Sequence, residues 1–246
     1  MKFRNSFLKY IFDNSKIKTI ILLQLIFNII YPMHVATDFS YFSAYNTVEN
    51  IPVFNLIIAF TILIVTLCTI SLFDDYYPVI IRFISKKEYL SELIKSVILV
   101  NLIVLIIGNA FLLISLLFSS NGIYIEKNYI YNISSLVYAI WVFIKKIIMF
   151  ELLSVVYIYI LKLVVKPFNV CLCIIWSGLL GFSSYYDKTV TSLSNIFIFY
   201  WDYFVQHRYI SFTLEISTFV FYHCIYIFIL SGIYYLIANK IKKISE

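Results

Sequence analysis

Charge is what this sequence has least of. Asp, Glu, Lys and Arg make up 13% of its 246 residues, about half the ~25% typical of a soluble globular domain and too few to coat a water-facing surface. Glycine is scarce as well: Gly108, Gly122, Gly178, Gly181 and Gly232 are all there are, and none precedes Lys-Ser or Lys-Thr. A phosphate-cradling loop needs that pattern so that backbone amides can wrap the phosphates. Any ATP that drives this protein, and its Mg, must therefore sit in a partner subunit. His34, His207 and His223 are scattered without a carboxylate at ligand spacing, which excludes a zinc site of the H-E-x-x-H kind. Cys171 and Cys173 lie two residues apart, about 200° around a helix, so a disulfide or metal pair is not expected. Together with Cys68 and Cys224 they read as small apolar core residues. No catalytic, cofactor-binding or metal-ligating set emerges, and the chain does not read as an enzyme.

What is present is apolar. Hydrophobic residues reach 62%, aromatics 20%, and mean hydropathy is +0.92. This excludes disorder and a disulfide-stapled scaffold. The apolar runs are long and unbroken, unlike the alternating segments of an outer-membrane barrel. The expected fold class is all-α, a polytopic integral membrane protein in a single domain. The net charge of +6 then encodes topology and attraction to anionic headgroups, with no nucleic-acid partner implied.

Ionised groups are costly at mid-bilayer, so charge-free stretches of about 20 residues mark spanning helices. Six spans are expected, at about 17–36, 52–73, 96–118, 147–165, 168–186 and 216–238. An amphipathic in-plane helix over 2–16 precedes them, with Phe3, Phe7, Tyr10 and Ile11 at helical spacing beside Lys2, Arg4 and Lys9. Its continuation lacks a small-x-small cleavage site, so it does not read as a signal peptide. Pro32 should end or kink the first span. With both termini cytoplasmic, fourteen basic residues fall inside and five outside, among them Lys145 and Lys146. That is the bias the positive-inside rule requires. On this count 128–146 is either a helix in the outer interface or an upward extension of the fourth span.

Polar residues inside the spans need partners. Asn101, Gly108, Asn109 and Ser115 share one face of the third span, and Gln24 and Asn28 lie one turn apart on the first. They read first as interhelical glue and second as contacts to a translocation pathway. Glu151, Lys162 and His223 are the ionisable residues within spans. Glu151 is expected to form an interfacial salt bridge beside Lys145 and Lys146, Lys162 to snorkel to the inner surface, and His223 to be satisfied by a backbone carbonyl or hydroxyl. Residues 195–209, with Phe197, Phe199, Tyr200, Trp201, Tyr203 and Phe204, are too aromatic for solvent and should form an interfacial or re-entrant element.

The segment 74–95, after the second span, is cytoplasmic on the same count. It carries both signs of charge and still offers Val79, Ile80, Ile81, Phe83 and Ile84. Such a stretch reads as a short helix docking into another protein's groove, or as one half-sunk in the inner interface.

Within it, Pro78, Ile81, Arg82, Phe83, Ser85, Lys86 and Lys87 stand in the order Pro78-x-x-x-Arg82-Phe83-x-Ser85-Lys86-Lys87-x-Tyr89-Leu90. With the in-plane helix and six spans, this layout resembles the permease subunits of type-2 ABC exporters. The composition is similar to that of the small permeases of Gram-positive bacteria that export antimicrobial peptides or phenol-soluble modulins. The resemblance implies that 74–95 is a coupling segment seated on a separate ABC ATPase subunit. It also implies that a second permease copy completes the pathway, that the cargo is amphipathic or antimicrobial peptide or lipid-like, and that the location is the cytoplasmic membrane. The competing classes are a secondary transporter or channel, which needs intramembrane ions, and a non-transporting immunity protein.

Overall fold

The computed structural model describes residues 2–35, 39–49, 51–76, 86–127, 131–165, 167–183 and 211–243. Among these residues the regular structure is all helical, with short loops between helices and one isolated bridge between Lys127 and Ser134. Eight helices follow in order: α1 (Lys2–Asp13), α2 (Ser15–Val35), α3 (Tyr41–Glu49), α4 (Pro52–Tyr76), α5 (Lys86–Ser119), α6 (Ser135–Leu163), α7 (Phe168–Ser183) and α8 (Phe212–Lys243).

The protein is membrane-embedded. Ser15–His34, Val53–Asp75, Lys87–Ser119 and Phe212–Ala238 are each long and apolar enough to cross a bilayer, and they coincide with four of the six expected spans. At 34 residues α5 is about 51 Å long, well beyond the ~30 Å hydrocarbon core, so it extends past the bilayer. Over the expected fourth span, α6 is one helix that starts at Ser135, twelve residues before 147. The Ser134 hydroxyl accepts from the Val137 amide at 3.2 Å and caps it. Residues 135–146 are therefore helical and continuous with 147–163. The described part of α7 has 16 residues, about 24 Å.

Local sequence explains the breaks. Asn14 ends α1 and caps α2, its side chain accepting from the Lys16 amide at 3.0 Å. Pro32 lies in the last turns of α2, which stops three residues later. Pro52 opens α4 where its missing N–H is no loss. On α1, Phe7 and Ile11 are buried while Tyr10 is exposed, and Phe7 meets Phe73 edge to face at 5.1 Å.

Two apolar clusters fill the bundle. One lies under α3 and joins Tyr45, Phe54, Ile62, Leu112, Tyr138 and Leu153; the other lies at the α1 end and joins Phe7, Ile17, Phe73, Leu93 and Val97. The α8 helix is the least covered, with Phe221, Phe228, Tyr235 and Leu236 each more than half exposed, as befits a surface facing hydrocarbon.

Candidate functional site

The interior site begins with α3, a short helix across the head of the bundle. Its entry is tied to the loop after α5: the Tyr41 amide donates to the Gly122 carbonyl at 3.0 Å and the Asn121 amide to the Phe39 carbonyl at 2.9 Å. Gly122 has φ 93, a left-handed value that only glycine adopts without strain. In the same loop, the Ser40 and Ser43 hydroxyls each donate to Glu126 Oε2 at 2.8 Å. These bonds, Ser43's foremost, hold the Glu126 carboxyl below the usual carboxylate range. At the other end of α3 the Asn55 side chain donates through Nδ2 to the Glu49 carbonyl at 3.0 Å. The Glu49 carboxylate, 2% exposed, turns into the bundle.

There it meets Lys146 of α6 in a buried ion pair. The Lys146 ammonium also lies 4.5 Å from the centroid of the Phe54 ring, a cation–π contact made stronger by desolvation. Phe54 in turn stacks on Phe27 at 5.6 Å and Tyr31 at 5.8 Å. Successive helical residues diverge by about 100°, so Lys145 cannot share Lys146's partner. It pairs instead with Glu215 of α8 at 3.4 Å, both side chains fully buried. Trp141 Nε1 donates to the same Glu215 oxygen at 2.8 Å. Two charge pairs thus tie α6 to α3 and to α8 inside the protein. This corrects the placing of Lys145 and Lys146 among outer-loop charges.

Glu151 is corrected too. It forms no salt bridge with Lys145 or Lys146, which are engaged elsewhere, and neither of its buried oxygens accepts a hydrogen bond among the described residues. Five residues beyond Lys146, it points about 140° away on the same helix.

The polar residues of α2 meet part of the polar face of α5. Asn28 Nδ2 donates to the Gly108 carbonyl at 2.8 Å. A Cβ at Gly108 would stand 3.0 Å from both Asn28 Nδ2 and Gln24 Nε2, so the bare glycine permits the close α2–α5 approach. Tyr45 donates to Asn109 Oδ1 at 3.0 Å, and Ser115 donates to the Ile29 carbonyl at 2.8 Å. Gln24, Asn28 and Asn109 line a cavity of about 20 Å³ together with Glu49, Phe54 and Lys146. Asn101 stands apart from it, donating to Thr66 Oγ1 at 3.0 Å and to Ser154 Oγ at 2.8 Å, and so joins α5 to α4 and α6. His223 Nδ1 lies 2.7 Å from the Phe219 carbonyl, and its ring stacks on Phe219 at 3.7 Å, in keeping with the backbone-satisfied reading.

At the opposite end, Lys162 does not simply snorkel. It lies 3.2 Å from Asp74 and 3.0 Å from the Tyr89 hydroxyl, which itself donates to Asp74. Tyr234 of α8 donates to the Lys87 carbonyl at 3.2 Å. Pro78, Ile81, Arg82, Phe83 and Ser85, like the aromatic stretch 195–209, lie outside the described residues. The backbone of Lys86 and Lys87 forms the first turn of α5, and the Lys87 side chain is exposed.

Sequence reasoning missed Glu49, Trp141, Glu215 and the roles of Lys145 and Lys146. The available signal was two adjacent lysines in a strongly apolar run, flanked by too few polar residues for an interface.

No protein-family model, curated protein or solved structure matches the chain.

Proposed function

We propose that this chain is the membrane-spanning subunit of an ATP-driven exporter of the type-2 ABC kind, with six spans and both termini cytoplasmic. A separate ATPase subunit binds ATP and Mg and pushes on the segment around Arg82 and Phe83. A second copy of the chain completes a pathway for amphipathic or antimicrobial peptides, or for lipid-like cargo, across the cytoplasmic membrane of a Gram-positive bacterium.

The observation that carries this reading is the Lys162–Asp74–Tyr89 cluster. Asp74 lies in the last turn of α4, Tyr89 in the first turn of α5, and Lys162 in the last turn of α6. The two helix ends that flank 77–85 are therefore locked to a third helix, and Tyr234 adds α8 through Lys87. A force applied between them acts on four helices joined by these contacts, which is what a rocking bundle needs. Packing of α1 on Phe73 adds a fifth. The aromatic interior suits amphipathic cargo better than sugars.

Phe83→Asp and Arg82→Glu test it. Both variants should insert normally yet lose the ATPase on purification and lose export. Retention of ATPase and export in both would overturn the proposal.

A second reading, an ion-coupled carrier, is favoured by one observation. The interior holds the buried pairs Glu49–Lys146 and Lys145–Glu215, and intramembrane ions of this kind mark ion pathways. Transport driven by an ion gradient with no nucleotide present would select it.

A further inference from the structure

The cavity beneath α3 has a chemical bias. Asn28 Nδ2 is committed to the Gly108 carbonyl, which fixes the amide's orientation and leaves Oδ1 as the free end. That oxygen, and Gln24 Oε1 one turn away, are buried and accept no hydrogen bond among the described residues. The two side chains are only 2% and 4% exposed, and both line the cavity. Asn109 Oδ1 accepts one bond, from Tyr45, and an amide oxygen has two lone pairs. The fourth oxygen-bearing wall is the Glu49 carboxylate. Apart from the Lys146 ammonium, which also lines the cavity and is engaged by Glu49, the polar atoms here that lack a partner among the described residues are acceptors, so they call for a donor or a cation, not an anion.

Size and charge narrow the choice. About 20 Å³ holds one water-sized particle, far too little for a peptide or lipid. A single carboxylate among amide oxygens is too weakly charged for calcium, which gathers several carboxylates, or for magnesium, which keeps its waters. Hard neutral oxygens plus one negative charge suit a monovalent alkali ion.

We propose that this cavity is a sodium site formed by Gln24 Oε1, Asn28 Oδ1, Asn109 Oδ1 and Glu49, and that the Lys146 ammonium is its tethered competitor. In the arrangement seen here Lys146 neutralises Glu49 and lies against Phe54. Sodium binding takes over that neutralising role: Lys146 gives up its proton to solvent and leaves Glu49 as a neutral amine, so that no second buried cation remains, and the hold of α6 on α3 changes. The site is independent of any ATPase, and it stands or falls on cation binding alone.

The test is thermal unfolding of the purified full chain in nanodiscs, in sodium chloride against choline chloride at equal ionic strength and pH. Ligand bound only by the folded state raises the Tm, so the wild type should be more stable in sodium. In Lys146→Met the competitor is gone and Glu49 is uncompensated. The sodium-dependent rise should grow, and the sodium concentration at half-effect should fall by at least about tenfold. Glu49→Gln should erase the sodium effect. Identical curves in the two salts for both wild type and Lys146→Met would mean that the cavity takes water only, and a sodium effect surviving in Glu49→Gln would place the ion elsewhere. Either result overturns the proposal. If Lys146→Met does not fold, saturable binding of radioactive sodium to the wild type and its loss in Glu49→Gln decide the matter, and absence of saturable binding overturns it.

Discussion

The Lys145 ammonium and the Glu215 carboxylate, 70 residues apart in sequence, lie 3.4 Å apart with neither side chain reachable by solvent. Removing one member of such a pair leaves a charge in a medium that cannot solvate it, which costs about 3–5 kcal/mol. Lys145→Met or Glu215→Gln alone should therefore lower the Tm in detergent sharply. The double variant Lys145→Met with Glu215→Leu should recover most of the loss, since two matched apolar groups leave no orphan charge. Equal loss in single and double variants would show that the pair is not energetically coupled.

Asn101 should be worth less. Its amide makes two interhelical bonds, to Thr66 and Ser154, and bonds of this kind contribute roughly 0.6 kcal/mol each, up to about 1.7. Asn101→Ala should cost about 1–2 kcal/mol while leaving the sodium effect intact, because Asn101 lies outside that cavity. Thermal unfolding in both salts reads the two quantities separately.

Gly108 sets how near α2 comes to α5. A methyl group there meets the ends of two amide side chains at 3.0 Å, contacts that flexible side chains can yield slightly. A helical glycine replaced by alanine also gains about 1 kcal/mol of intrinsic helix stability. Gly108→Ala should be close to neutral, whereas Gly108→Leu should cost on the order of 1–3 kcal/mol by overpacking. Cysteine crosslinking between α2 and α5 in each variant reports whether the helices separate.

Glu126 predicts the acid limb of the stability profile. Its folded pKa is lowered by the Ser43 and Ser40 hydroxyls, so its contribution is fully present above the unfolded value, about 4.3. That contribution is lost as pH falls through the lower folded value. Ser43→Ala should bring the folded value up toward the unfolded one, lower the Tm near neutral pH where the contribution is fully present, and shrink the fall in Tm across that acidic window, so that the two profiles converge at the acid end. A profile that matches the wild type would remove Ser43 from the account.

Several of these features were legible in the sequence for a simple reason. Periodicity places Asn101, Gly108, Asn109 and Ser115 on one face, and an amide in hydrocarbon must find a partner, so their inward direction follows without a structure. The buried charges were obscured by the rule that located the spans. Counting basic residues by side treats every lysine as a topological marker, and a fourth span beginning at 147 leaves Lys145 and Lys146 on the outer side. Their partners, Glu49 and Glu215, are 97 and 70 residues away, and such pairings depend on how helices pack. The misplacing of Glu151 is different in kind: five residues from Lys146 already excludes a same-face pair. Helix α3 was missed because its nine residues carry no strong apolar period. Its position comes from bonds to Gly122 and to the loop carrying Glu126.

The most direct test of the central claim is to purify the tagged chain from its own membranes under mild detergent and ask what comes with it. The account predicts a stoichiometric subunit bearing a Walker motif, ATP hydrolysis by the complex, and loss of that subunit in Phe83→Asp. A chain that purifies alone, and that moves a solute or an ion across liposomes without nucleotide, would contradict it.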